Sequence, residues 1–197
     1  MKFISLGEGC NVKYQLDKFF GKKETLFFDR LETSMDSVNT IIACKDISEI
    51  LFFENIVQNT KNLIHNNNAQ MLVHSLNKCI SKHDINKNIT KKGIDKFIAK
   101  YTRRFHRIQE YIKGGEKVIF IRFNKITKQE KEIFIKSVKK TNIYCNFMLV
   151  NIIIDQKESS LIKEANFIEI NLIDSYTDDW TGSYINWEEI FNILAES

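Results

Sequence analysis

At 197 residues, with 43% apolar and 27% charged side chains, the chain can bury a sizeable core and has the balance of a folded domain, which excludes a disordered segment. Its formal charge of +4, from 29 Lys and Arg against 25 Asp and Glu, is spread without a long basic block and gives no specific nucleic-acid signal. No run approaches the roughly 18 apolar residues of a membrane span, and the amino-terminal apolar run breaks at Gly7 instead of forming a signal segment, so a cytoplasmic protein is expected.

Phe3 to Leu6 predict a first strand, ended by Gly7 and Gly9. The run after Cys10 predicts a short helix with Val12, Leu16, Phe19 and Phe20 on one side. "TLFFD" (Thr25 to Asp29) predicts a second strand. "SMDSVNTIIAC" predicts a helix begun by Ser34 or Asp36, and "DISEILFFENIV" its continuation. "NTKNLIHNNNAQ" reads as loop and short strand, and "MLVHSL" (Met71 to Leu76) as a strand carrying His74. The polar stretch 77–92 reads as an excursion or flap. "IDKFIAKYTRRFHRIQEYIKGG" is the clearest helix, with Ile94, Phe97, Ile98, Tyr101, Phe105, Ile108 and Ile112 as its apolar stripe and Gly114 as its end. "KVIFIRF" predicts a buried strand, and "TKQEKEIFIKSVKKT" a helix capped by Thr127. "NFMLVNIIID" and "NFIEINL" predict two more strands, separated by a short helix around Ser159 to Glu164. A last helix is capped by Asn186. The alternation predicts a single α/β domain over 1–197, with a largely parallel sheet flanked by helices.

Cysteines stand at 10, 44, 79 and 145 with no CxxC pair, so no metal site is expected, and nothing calls for a cofactor. Cys44, Cys79 and Cys145 read as small buried hydrophobes. Cys10 differs, because it falls where a strand ends and a helix starts. Helix-start amides favour a thiolate and can hold an oxyanion, and the flanking Gly7 and Gly9 let the backbone come close to a substrate.

A nucleophilic thiol needs a base. His74, at the end of a short apolar run, is the best of four histidines; His65 and His83 sit in polar loops and His106 on the long helix. Asp29 leads as the carboxylate that orients the imidazole, ahead of Asp174 and Asp178. Arg103 and Arg107 share a helix face, Arg104 lies nearer the apolar stripe, and Arg122 ends a buried strand, where arginine binds carboxylate or phosphate or forms internal ion pairs. Tyr176, Trp180, Gly182, Tyr184 and Trp187 make either a ligand wall or a cap on the core. "GEGCNV" also holds two glycines of a GxGxxG loop, with Asp29 placed for a ribose; Val12 stands where the third glycine belongs.

The succession "ISLGEGCNVKYQL", "LFFDRL", "LVHSL", "KYTRRFHRI", "VIFIRF" resembles the DUF1796 family, papain-like cysteine peptidases by description, over roughly residues 3 to 123. The resemblance implies Cys10 as nucleophile, His74 as base and Asp29 as the acidic residue of a "PFDW"-like segment. In that segment Phe27 stands for the proline and Arg30 for the tryptophan. It also implies a papain-like α+β fold as the alternative architecture. The combined expectation is a cysteine-dependent hydrolase or acyl transferase. Amides near Asn11 and Val12 would bind the oxyanion, and Arg122 and Arg104 would hold an anionic group of a peptide or small-molecule substrate. The second expectation is a nucleotide-sugar or phosphate-binding module without a catalytic thiol, and the third a non-catalytic interaction protein. Oligomeric state is not legible.

Overall fold

The computed structural model describes residues 1–7, 10–56, 79–81, 90–156, 159–173, 179 and 181–195. Strand β1 is Lys2–Ser5, helix α1 Asn11–Phe20, β2 Leu31–Thr33, α2 Met35–Ala43 and β3 Cys79–Ser81. The later elements are α3 Lys91–Lys113, β4 Val118–Phe123, α4 Lys128–Thr141, β5 Phe147–Gln156, β6 Ser160–Glu164, β7 Phe167–Ile173 and α5 Trp187–Ala195. The main sheet runs β1-β4-β5-β7-β6, with the first four parallel and β6 antiparallel to β7. β2 and β3 form a separate antiparallel pair. This is the expected α/β architecture. The α+β alternative is not adopted, because the central strands are parallel and need helical crossovers.

Side-chain alternation splits the core in two. Val118 and Phe120 of β4, with Phe147 and Leu149 of β5, face α2, α3 and α4. Ile119 and Ile121, with Met148, Val150 and Ile152, face α1 and α5. All six residues of β4 are buried, as an interior parallel strand requires. Phe120 and Phe134 of α4 meet edge to face at 5.1 Å. The helix starts are fixed locally. Ser34 Oγ accepts from the Ser37 amide, Thr90 Oγ1 from the Gly93 amide, and Thr127 and Glu130 form a reciprocal capping box. Asn186 Oδ1 accepts from the Glu189 amide, so the expected caps at Ser34, Thr127 and Asn186 are present.

Three segments differ from expectation. Thr25 to Asp29 is no strand: residues 27–30 form a turn, with Arg30 at φ 65°. Leu26, Phe27 and Phe28 are all buried, so their apolar run marks a turn pressed into the core. Ser160 to Glu164 is a strand, because residues 165–166 turn the chain into a hairpin that pairs Glu164 with Phe167. α2 stops at Ala43; beyond it Asp46 Oδ1 takes the Ser48 amide at 2.9 Å and starts a separate 3-10 turn, Ile47–Glu49. Of the stretch 77–92 expected as an excursion or flap, residues 79–81 form β3 and pair with β2, and residues 77–78 and 82–89 lie outside the described residues. Phe19 and Phe20 stay about 40% exposed and pack on Phe191 rather than in the core.

Candidate functional site

β1 delivers the chain to the carboxyl edge of the sheet, where a clamp fixes the turn at Gly7. Gly7 has φ +82°, and a Cβ there would lie 2.4 Å from Thr33 Oγ1. Thr33 therefore fills the space that the missing side chain leaves. Its hydroxyl donates to the Leu6 carbonyl at 2.6 Å. Arg122, at 4% exposure, donates from Nη1 to the Leu6 carbonyl (3.1 Å) and to Thr33 Oγ1 (2.9 Å), and from Nη2 to the Thr33 carbonyl (2.7 Å). Burial lowers its pKa to about 10, so it is still a cation at neutral pH. One guanidinium thus ties the ends of β1, β2 and β4 together beside Gly7.

Cys10 is half-buried and occupies the N-cap of α1; its carbonyl accepts the Tyr14 amide at 2.9 Å, and its side chain makes no capping hydrogen bond. The Val12 amide donates to Asn11 Oδ1 at 2.8 Å, and the amides of Asn11 and Lys13 belong to the first turn, which has no intrahelical acceptors. Opposite lies the loop before α5. The Gln15 side chain donates to the Thr181 carbonyl (2.8 Å), the Trp187 indole donates to the Gly182 carbonyl (2.7 Å), and Gly182 comes close to Asn11. Asp179 organises this loop by accepting from the amides and hydroxyls of Thr181 and Ser183, which holds its carboxyl far below the usual range. Trp187 and Gly182 therefore brace the start of α1, and Trp187 is core rather than an exposed ligand wall.

Asp29 is 1% exposed and meets α1 one turn beyond Cys10. Its Oδ2 accepts the Leu26 amide at 2.8 Å and lies 3.7 Å from Lys13 Nζ, which also pairs with Asp17 at 2.8 Å. Its Oδ1 is buried and has no hydrogen-bond partner among the described residues. Burial pushes the carboxyl up to about 6, although Lys13, the Leu26 amide and Arg104 pull the other way. Asp29 also borders a cavity of about 310 Å³ with Lys13, Asp17, Phe20, Glu24 and Tyr111; Cys10 is not among the lining residues. Arg104 is half-buried with its guanidinium 4.9 Å from the Tyr101 ring centre. Arg107 pairs with Glu24 and donates to the Thr25 carbonyl, while Arg103 and His106 are exposed.

The structure thus puts Gly7 with Arg122 at the end of β1, Cys10 and Asn11 at the start of α1, Asp29 beside Lys13 on the flank of α1, and Arg104 over Tyr101 of α3. Gly9, His65, His74, His83, Asp174, Tyr176, Asp178 and Trp180 lie outside the described residues. The sequence reading missed Thr33 and Lys13. The i, i+4 spacing of Lys13 and Asp17 was a local signal for the second; Thr33 had none, since its partners lie 27 and 89 residues away. Cys79 is fully buried and pushed up to about 12, an inert thiol, whereas Cys44 and Cys145 are half-buried. Among the described residues no three His, Cys, Asp or Glu side chains group to hold a metal ion, and no helix is long and apolar enough to cross a membrane.

Comparison with known proteins adds to this geometry. The chain is 28% identical over 213 residues to "Uncharacterized protein R408" of Acanthamoeba polyphaga mimivirus, an alignment covering 95% of this chain and 96% of the viral protein. No solved structure matches. The family described as "Putative papain-like cysteine peptidase (DUF1796)" matches residues 1–157, a span that takes in Cys10, Asp29, Arg104 and Arg122 and stops before α5. By that match over most of its length, the chain belongs to the DUF1796 family.

Proposed function

We propose that the protein is a cysteine-dependent hydrolase or acyl transferase in which Cys10 is the nucleophile, His74 the general base and Asp29 the residue that orients the imidazole. The observation that carries the reading is the place of Cys10: a half-exposed thiol at the amino end of a ten-residue helix, at the carboxyl edge of a parallel strand. The partial positive charge of the helix end lowers the cost of a thiolate there. The buried Asp29 Oδ1, which lacks a donor among the described residues, supports the third role, since an imidazole N–H would satisfy it. Membership of a family described as papain-like cysteine peptidases supports a thiol nucleophile.

In this reaction His74 takes the Cys10 proton, and sulfur forms a bond to the substrate carbonyl carbon. The resulting oxyanion is held by the Asn11 backbone N–H and the amide group of its side chain. The tetrahedral intermediate collapses as the imidazolium gives its proton to the leaving group, whose bond to carbon breaks and leaves a thioester on Cys10. Water, or an acceptor nucleophile, then gives up a proton to His74 and displaces the sulfur. Gly7 and Arg122 act here by fixing the chain at the end of β1, and Arg104 receives an anionic group of the peptide or small acyl substrate.

A p-nitrophenyl ester tests the scheme. The expected result is a burst of about one nitrophenolate per chain with the acyl group on the Cys10 peptide by mass spectrometry, as a covalent intermediate requires. Cys10→Ala abolishes the burst, and His74→Ala slows it by about a hundredfold or more. Acylation spread equally over Cys10, Cys44 and Cys145 would overturn the proposal.

A further inference from the structure

The mild total charge conceals a segregation. Helix α3 carries eight Lys and Arg against Asp95 and Glu110, a net +6 in a chain whose total is +4. At about 100° per residue, Lys92, Lys96, Lys100, Arg103 and Arg107 fall in one sector of about 80° and extend about 22 Å along the axis. The opposite face is spent in the core through Ile94, Phe97, Tyr101, Phe105, Ile108 and Ile112. Lys92, Lys96 and Arg103 are exposed, while Lys100 and Arg107 are half-buried and Arg107 is held by Glu24 and the Thr25 carbonyl. Like charges four residues apart oppose helix formation, so a polyanion lying along the exposed Lys92, Lys96 and Arg103 relieves their mutual repulsion.

We propose that this stripe is a docking surface for the phosphodiester backbone of a nucleic acid, a property beyond the thiol chemistry and independent of it. The composition of the face selects the partner. A helix that lies on lipid needs exposed apolar residues beside its cations, and none of the exposed large hydrophobic residues is on α3. The core of a protein interface is depleted in Lys and built on aromatic anchors, which the stripe also lacks. A regular row of cations with no apolar anchor matches a regular row of phosphates and carries no base readout, so the binding is insensitive to sequence.

Fluorescence anisotropy of the full chain with labelled duplex DNA of about 20 base pairs, and separately with single-stranded RNA of about 20 nucleotides, tests this across about 50 to 200 mM KCl. The expected result is binding to at least one of the two, with log K falling against log salt at a slope of about −3 to −4. The triple variant K92E/K96E/R103E loses at least about tenfold in affinity and about two units of slope. K136E/K139E/K140E on α4 makes the same change in net charge and stays within about threefold. Lysine acetylation of the unaltered protein is a second readout that survives a misfolded variant: bound nucleic acid protects Lys92 and Lys96 and leaves Lys139 reactive. Equal losses in the two triple variants, absence of binding at about 50 mM salt, or binding to phosphatidylserine vesicles with none to nucleic acid would each overturn the proposal.

Discussion

Two buried charges, Arg122 at the end of β1 and Asp29 beside α1, are treated differently. Arg122 sends both terminal NH2 groups into backbone carbonyls and a hydroxyl, so its charge is spread into a clamp that holds three strand ends. Asp29 is buried still more deeply, yet among the described residues only one oxygen is engaged, and its pKa rises to about 6. A buried ion whose hydrogen bonds end on the chain's own backbone acts as architecture. A buried ion left short of a donor stays costly unless something else completes it.

The sharpest break of this contrast is at Arg122. Arg122→Met removes the guanidinium donor of the Thr33 carbonyl and leaves the Leu6 carbonyl with the Thr33 hydroxyl alone, and unfolding in urea should show a loss of about 4 kcal/mol. A loss below about 1 kcal/mol would mean that the clamp does not hold the strand ends.

At Asp29 the sign reverses. The folded state keeps a proton up to about pH 6, whereas the unfolded chain releases it near 3.8. Folding stability therefore falls as pH rises between these values, by up to about 3 kcal/mol, and the deficit persists at neutral pH. Asp29→Asn removes that slope and stabilises the protein at pH 7, while it slows acylation at Cys10. Denaturation curves at pH 4 and pH 7 check this, and an unchanged slope in the variant would contradict it. A smaller effect is expected at Gly7. Gly7→Ala combines φ +82° with a methyl 2.4 Å from Thr33 Oγ1, and a cost of about 2 kcal/mol should appear in thermal unfolding.

Legibility in the sequence tracks how local each signal is. Helices α3 and α4 carry their own caps and periodicity, and β4 is a run of apolar residues long enough to need cover on both faces. Leu26 to Phe28 misled because burial of successive residues imitates a strand, while the decisive contact, Asp29 Oδ2 with the Leu26 amide, is a turn interaction. Ser160 to Glu164 misled because every residue is exposed and only the pairing with β7 makes it a strand. Cys10 could be placed at a helix start from the glycines and the apolar spacing alone. The clamp beside Gly7 could not, because Thr33 and Arg122 meet only after β1, β2 and β4 have converged.

The central claim is that Cys10 is an activated thiol served by His74. The most direct measurement is the pH dependence of Cys10 alkylation by iodoacetamide, monitored by peptide mass spectrometry. The account predicts half-maximal reactivity well below the free-thiol value of about 8.5, moving up toward that value in His74→Ala. A Cys10 profile centred near about 8.5 and unaltered by His74→Ala would contradict it.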